Sequence, residues 1–274
     1  MLTKKIVKNV KKVLIVLICL FALIGIVAVG GFVAIKLGWT NTKGMIDSQS
    51  RFLQPSATST APAWTNTPEW QTLAHATVTD APAINKAASE SDVSARLIVA
   101  QLVAEQLRLY NTDREVYKQV FQPLQILGVQ SQFSWGVMGL KQDTAIAIEQ
   151  HLVTSTSTWY LGPKYERLLD FKTTDHDTER FDRLVDQHDH SYSYLYTGLY
   201  LKQIMVQWKN AGFDISARPE ILSTLYNIGF AHSKPNANPS SGGAAIDVGG
   251  TTYSFGNLAA EFYYSNELIS EFPR

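Results

Sequence analysis

The stretch LIVAQLVAEQLR (Leu97–Arg108) decides the fold, because its apolar residues cover most faces of one helix. A helix that is apolar on most faces belongs in the core of a domain. Asp92 or Ser94 can cap its beginning, and the periodic pattern ends near Tyr110. The sequence therefore predicts a buried central helix, around which the rest of the chain packs.

Glu105 is the acid of this apolar helix. At 100° per residue it lies beside Gln101 and Arg108 on one side and beside apolar residues on the other. An apolar surrounding favours the neutral form of a carboxyl, which is the form that can donate a proton. The alternative is an ion pair with Arg108, three residues later on the helix surface.

Helical patterns recur along the chain and predict a mainly α fold. The predicted helices are Pro68–Val78, Ala81–Ser89, Arg114–Leu127, Asp143–Leu152, Glu179–Asp189, Tyr192–Asn210, Pro219–Asn227 and Leu258–Leu268. Ser233–Gly243 has the composition of a loop. Ala245–Val248 and Thr251–Phe255 flank Gly249-Gly250, which favours a small β-hairpin.

The N-terminus has the pattern of a membrane anchor. Val13–Ile35 contains no charged residue and is long enough to cross a bilayer core of ~30 Å as a helix. The lysines that precede it predict a cytoplasmic N-terminus and an exported remainder. The alternative is a cleaved signal peptide, whose apolar region is usually ~7–15 residues long and is followed by a small-residue cleavage site. The run here is longer and no such site follows it, so the anchor is favoured.

Composition divides the chain into four parts. Residues 1–12 are the basic cytoplasmic end, 13–36 the transmembrane helix, 37–67 a linker rich in Ser, Thr and Pro, and 68–274 the folded domain. The formal net charge is zero, which gives no support for nucleic-acid binding. The single cysteine, Cys19, excludes an intramolecular disulfide.

Three blocks, in order, resemble the signature of soluble lytic transglycosylases and goose-type lysozymes. They are the helix with Glu105, the block GVMGLKQDTA (Gly136–Ala145) and the block LYNIG (Leu225–Gly229). The family has a catalytic Glu, a GLMQLMPDTA-like block and an AYNAG-like block. This chain departs from the family at Gly139, where Gln is usual, at Gln142, where Pro is frequent, and at Gln106, where Ser is usual. The resemblance covers roughly residues 84–145 and 218–229.

The resemblance implies a lysozyme-like helical domain that cleaves the glycan strand of peptidoglycan without a metal or cofactor. Glu105 would act first as acid and then as base, with help from the N-acetyl group of the substrate, and would leave a 1,6-anhydro sugar. The expected substrate-binding residues are Gly136, Val137, Met138, Gly139, Tyr226 and Asn227. Asp143 or Thr144 would begin the helix that follows the glycine block. A glycine at position 139 lacks the side-chain amide that the family carries there.

Several other residues allow a second interpretation of their role. Glycosidases usually use two carboxylates, and Glu166, Asp175 and Asp177 are weak candidates for a second one. His176, His188 and His190 lie in a polar stretch, where a solvated surface is favoured over a metal site. The tyrosines between Tyr192 and Tyr200 could stack on sugars, although burial in the core is favoured.

Three classes of function therefore remain open from the sequence. The favoured class is a membrane-anchored lytic transglycosylase whose domain is periplasmic or extracellular. The second is a non-catalytic cell-wall-binding or scaffolding module on the same fold, because two family residues are replaced. The third is a membrane-tethered interaction protein in which the motif matches are coincidental.

Overall fold

The computed structural model describes residues 62–110 and 134–274, together with isolated positions between 12 and 30. The chain divides into two units, Met1–Thr42 and Lys43–Arg274. Among the described residues, no helix has both the length and the apolar character needed to cross a membrane. The predicted transmembrane helix lies almost wholly outside the described residues, and the predicted helix Arg114–Leu127 lies wholly outside them.

The described part of the second unit contains eight α-helices and two short hairpins, which confirms the prediction of a mainly α fold. The helices are α1 (Pro68–Thr79), α2 (Ala81–Ser91), α3 (Ala95–Tyr110), α4 (Gln142–Val153), α5 (His176–Val185), α6 (Ser191–Asn210), α7 (Pro219–Ile228) and α8 (Phe255–Tyr264). The strands are β1 (Ser134–Trp135), β2 (Leu140–Lys141), β3 (Ala245–Val248) and β4 (Thr251–Ser254).

Helix α3 is the buried central helix that the sequence predicts. From Arg96 to Arg108 all but one of its side chains are buried. The Ser94 side chain accepts a hydrogen bond from the Leu97 amide at 3.2 Å and caps the first turn. Asp92 instead ends α2 in a left-handed conformation, so the cap is Ser94 rather than Asp92.

Helix α5 is displaced toward the N-terminus from its predicted range, and side-chain caps explain the shift. It begins at His176 because the Asp175 side chain accepts a hydrogen bond from the Thr178 amide. It ends before Asp186, whose side chain accepts from the backbone amides of residues 188 and 189. These amides are thereby paired outside a helix, so the helix does not continue through them.

Helix α8 is displaced in the same direction, for a similar reason. The Ser254 side chain accepts from the Asn257 amide at 3.3 Å and starts the helix at Phe255. The predicted range, Leu258–Leu268, therefore begins three residues late.

The sequence predicts one of the two hairpins but not the other. Strands β3 and β4 pair antiparallel around Gly249-Gly250, both with positive φ, as predicted. Strands β1 and β2 pair Trp135 with Leu140 and leave the four-residue turn 136–139 between them. Strands of two residues are too short to give an alternating pattern, so the sequence does not predict this hairpin.

The folded region begins earlier in the chain than Pro68. Residues Ala63–Asn66, whose composition is that of a linker, form a 3-10 turn, and Trp64 is fully buried. The Trp64 indole donates to Glu261 at 2.9 Å, and the Trp70 indole donates to Glu267 at 3.2 Å. The first described residues of the domain are therefore hydrogen-bonded to residues close to position 274.

Arg96 connects the same part of the chain, residues 262–272, to helix α3. Its guanidinium is fully buried and donates to backbone carbonyl oxygens of Phe262, Tyr263, Ser265, Glu267 and Phe272. Burial lowers the pKa of Arg96 to about 10, and nearby Arg274 acts in the same direction. The guanidinium thereby pairs carbonyls at the end of α8, while those carbonyls satisfy its buried donors.

Candidate functional site

Helix α3 carries Glu105 into the interior of the domain. The residue is only 2 % exposed, and Ala104 and Leu107 beside it are fully buried. A buried carboxylate is costly unless it is paired and hydrogen-bonded. The partners of this carboxylate therefore decide what it can do.

The Glu105 carboxylate forms a two-point ion pair with Arg108. Arg108 Nε donates to Glu105 Oε2 at 3.1 Å, and Arg108 Nη2 donates to Glu105 Oε1. The two residues are three positions apart, so they lie on one face of α3. The alternative interpretation of Glu105 as half of an ion pair thus has a geometric basis, although this pair is buried rather than on the surface.

The turn between β1 and β2 lies directly against this carboxylate. A Cβ atom added to Gly139 would be 2.0 Å from Glu105 Oε1 and 2.4 Å from its Cδ. Gly139 also has φ of +62°, which disfavours a side chain even without that overlap. A side chain at position 139 would therefore require the Glu105 side chain to move.

The rest of the turn is fixed from three other directions. A Cβ atom on Gly136 would lie 1.8 Å from the carbonyl oxygen of Leu184, at the end of α5. The Gln106 side-chain amide donates to the carbonyl oxygen of Val137. Met138 is fully buried, and its carbonyl oxygen accepts a hydrogen bond from the Tyr226 hydroxyl at 2.7 Å. The turn therefore has a fixed position relative to α3.

Tyr226 brings helix α7 to the same turn. Its hydroxyl also lies 3.4 Å from the Thr197 hydroxyl of α6. Burial raises the pKa of Tyr226 well above its usual value, and the nearby Glu105 charge raises it further. The hydroxyl therefore stays protonated and serves as a hydrogen-bond donor.

Asn227, the neighbour of Tyr226, serves a different contact. Its Oδ1 accepts from the Ala244 amide at 2.9 Å, so the side chain supports the loop before β3. A Cβ on Gly243 would lie 2.9 Å from the same oxygen. This geometry gives Asn227 a direct role in holding the loop, whereas its predicted contact with a sugar stays a prediction.

The candidates for a second carboxylate have structural partners. Asp175 caps α5 through the Thr178 amide and hydroxyl, and these bonds lower the pKa of Asp175. Asp177 accepts from Arg180 at 2.6 Å, and Glu166 accepts from the Tyr160 hydroxyl at 2.5 Å. These contacts involve neither Glu105 nor the turn.

The histidines and tyrosines of residues 176–200 also have structural contacts. Within the described residues, no group of three or more His, Cys, Asp or Glu side chains is arranged to hold a metal ion. His190 Nδ1 lies 2.6 Å from Asp80 Oδ2, which also accepts from the Tyr194 hydroxyl. Tyr194, Tyr196 and Tyr200 are buried, in agreement with the favoured core interpretation.

The helix that follows the turn begins one residue earlier than expected. Helix α4 starts at Gln142, with Lys141 as its N-cap residue and no side-chain cap. Asp143 is exposed in its first turn, and Thr144 is half-buried. The Asp143 charge interacts favourably with the helix dipole there and does not provide the cap.

The chain gives no match to protein-family profiles, to curated proteins or to solved structures. The site therefore has to be interpreted from its own geometry. That geometry joins a buried acid, a glycine turn that makes room for it, and a tyrosine hydroxyl that anchors the turn. The sequence indicates Glu105, the turn and Tyr226, but gives no signal for the contacts of Gln106 and Thr197.

Proposed function

We propose that this domain cleaves the glycan strand of peptidoglycan as a lytic transglycosylase, with Glu105 as its single general acid and base. The observation that carries the proposal is the meeting of three distant blocks at one turn. Gly139 leaves space for the Glu105 carboxylate, and Met138 accepts from Tyr226. Residues so far apart in the chain share one place, as a common site requires.

The proposed chemistry needs one carboxyl group. Glu105 would donate its proton to the glycosidic oxygen as the bond to the anomeric carbon breaks, with the N-acetyl group of the substrate assisting. The resulting carboxylate would take the proton of the 6-hydroxyl as that oxygen closes on the anomeric carbon. The products are a 1,6-anhydro sugar and a free hydroxyl on the leaving strand.

The ion pair sets a condition for this reaction. Both carboxylate oxygens of Glu105 accept hydrogen bonds from Arg108 in the structure. A carboxylate paired in this way carries no proton, so Glu105 has to separate from the guanidinium and take up a proton from solvent before it can donate one to the substrate. The proposal therefore includes a change in the Glu105–Arg108 pair when a glycan strand binds.

Digestion of purified sacculi, followed by mass spectrometry of the released sugars, tests the proposal. The full-length protein is expected to release muropeptides with anhydro ends, and Glu105→Gln is expected to release about 10²–10⁴-fold less. Asp177→Asn is the matched control, because it also removes one carboxylate, but one that is largely exposed and far along the chain. Equal release by the wild type and Glu105→Gln would reject the mechanism.

The second candidate is a non-catalytic module that binds the cell wall. The observation that favours it is the burial of Glu105 together with its two-point pair with Arg108, which is also what a structural ion pair requires. Such a module would sediment with sacculi but release no sugar. Co-sedimentation without products, from a folded wild-type protein, would favour this candidate over the enzyme.

The proposed localisation is the cytoplasmic membrane, with the domain on the periplasmic or extracellular side. It rests on the apolar segment Val13–Ile35 and the lysines before it. A reporter that works only outside the cytoplasm, fused after Arg274, is expected to be active. Activity of a cytoplasm-only reporter at that site would remove peptidoglycan as the substrate.

A further inference from the structure

The turn 136–139 is held against α3 by a residue that the proposed reaction does not use. Gln106 follows Glu105 directly and is half-buried. Its Nε2 donates to the carbonyl oxygen of Val137, in the middle of the turn. Adjacent residues of one helix thus contact the same turn, Glu105 at Gly139 and Gln106 at Val137.

We propose that Gln106 is a positioning residue that sets the distance between the turn and the Glu105 carboxylate. This inference rests on the proposed function, because it concerns the placement of the proposed acid. Gln106 and Tyr226 hold consecutive carbonyls of the turn, at Val137 and Met138. One of these hydrogen bonds comes from α3 and the other from α7, so the turn cannot move away from Glu105 without breaking one of them.

The side-chain amide that contacts the turn comes from α3 and not from the turn itself. Position 139 of the turn is a glycine, and an added Cβ there would meet the Glu105 carboxylate. A side-chain amide is present instead on α3, at position 106, and it points to the turn. The amide therefore acts on the backbone of the turn.

The contact matters because the fit around Glu105 is close. Gly139 approaches the carboxylate so nearly that no Cβ atom fits between them. A displacement of about 1 Å in such a site can cost about 10²-fold in rate. Loss of the Gln106 donor also leaves a carbonyl of the half-buried Val137 without this bond, which favours movement of the turn.

The test compares Gln106→Met with Gln106→Lys in the full-length chain, purified in detergent. Gln, Met and Lys have similar helix propensities, so α3 is equally favoured in all three proteins. Methionine removes the donor and lysine keeps one. We expect Gln106→Met to lower kcat on soluble glycan strands by about 10²-fold with little change in KM, and Gln106→Lys to retain most of the wild-type kcat.

A readout that does not need activity accompanies the kinetics. The Gly139 amide donates to the Gly136 carbonyl oxygen at 3.2 Å within the turn. Hydrogen exchange in the peptide that contains the turn is expected to be faster in Gln106→Met than in the wild type and in Gln106→Lys. An unchanged kcat in Gln106→Met, or a changed KM alone, would overturn the positioning role.

The double variant Gln106→Ser, Gly139→Gln tests whether the amide could instead act from the turn. We expect it to be less active than Gln106→Met, because Gly139 has a positive φ and faces the carboxylate. Recovery of activity would overturn the inference. If the wild type releases no sugar at all, the proposed function fails. In that case the hydrogen exchange of the turn still tests the role of Gln106, and unchanged exchange in Gln106→Met would overturn it as well.

Discussion

Glu105 and Glu149 are both carboxylates paired with an arginine, but their surroundings are opposite. Glu149 lies on α4 and accepts from Arg180 of α5 at 2.6 and 2.7 Å and from Tyr196 of α6 at 2.6 Å. Among the described residues, Glu105 accepts only from Arg108 of its own helix, and it faces a glycine. Glu149 therefore connects three helices, whereas the hydrogen bonds of Glu105 in the described part of the chain stay within one.

The difference separates a carboxylate that holds the fold from one that the fold accommodates. A buried ion pair offsets its desolvation only with good geometry and further hydrogen bonds. The Glu149 network has both and links separate elements. The Glu105 carboxylate accepts from no second element within the described residues, so its pair with Arg108 does not connect separate elements there.

Exchange of the two glutamates for glutamine gives the largest expected contrast. Glu105→Gln should lower release of anhydro sugars by about 10²–10⁴-fold, and because it also leaves the buried Arg108 without its carboxylate, the release is compared per folded molecule. Glu149→Gln leaves Arg180 without its buried carboxylate and should cost about 3–5 kcal/mol of stability, while the activity of each folded molecule persists. Urea unfolding and sacculus digestion measure the two effects. Loss of activity in folded Glu149→Gln, together with wild-type activity in Glu105→Gln, would contradict the catalytic role of Glu105.

Alanine at two glycines sharpens the contrast further. Gly139 and Gly250 both have positive φ, so alanine should cost about 1–2 kcal/mol at either position. Around Gly250, no described atom lies within 4 Å of an added Cβ, whereas at Gly139 that atom meets Glu105. We expect Gly139→Ala to lose about 10²-fold in activity and Gly250→Ala to remain active. Loss at both positions would indicate general unfolding.

Two tyrosine hydroxyls give a smaller difference. Tyr226→Phe removes the donor to the Met138 carbonyl, which should cost about 1–3 kcal/mol and lower the rate of sugar release by about tenfold. Tyr196→Phe loses the bond to Glu149 and should affect stability alone. Thermal unfolding and kcat of both variants are compared with the wild type. An unaffected kcat in Tyr226→Phe would exclude the hydroxyl from positioning the site.

The smallest effect concerns acid stability at a third carboxylate. Desolvation opposes ionisation of Glu179, but hydrogen bonds from the backbone amides of Lys172 and Thr173 and from the Thr173 hydroxyl, with the charge of Arg183, hold its pKa at about 2. A folded-state pKa below the unfolded value stabilises the fold above about pH 4.3, and this contribution is lost as the pH falls toward 2. In Glu179→Gln, urea midpoints should depend less on pH across that window than in the wild type. An equal dependence would contradict the shift.

The sequence predicts the helices better than the contacts at the site. Helix α3 is evident from its apolar faces, and the β3–β4 hairpin from Gly249-Gly250. Local patterns carry such information because they depend on neighbours along the chain. The sequence offers the Glu105–Arg108 pair as an alternative for the same reason.

The contacts that join distant parts of the chain are not predictable in this way. In the sequence, Gly139 weakens the assignment of a substrate contact, because it lacks a side-chain amide, and only the structure shows that an added Cβ there would meet the Glu105 carboxylate. The partners of Arg96 are backbone carbonyls more than 160 residues away, so no side-chain pattern marks them. The residues that flank Trp64 in the sequence have the composition of a linker, and its burial depends on residues near position 261.

The carbonyls that surround Arg96 impose an order of assembly on the newly made chain. Arg96 lies on the helix that carries Glu105, and its acceptors belong to residues 262–272, which are synthesised long after that helix. Until they emerge, burial of α3 would leave a cation without these acceptors, which is strongly unfavourable. We therefore expect Glu105 to reach its place beside the turn only after these acceptors have been made, and a chain truncated before Phe262, which lacks all five, to fail to fold around α3.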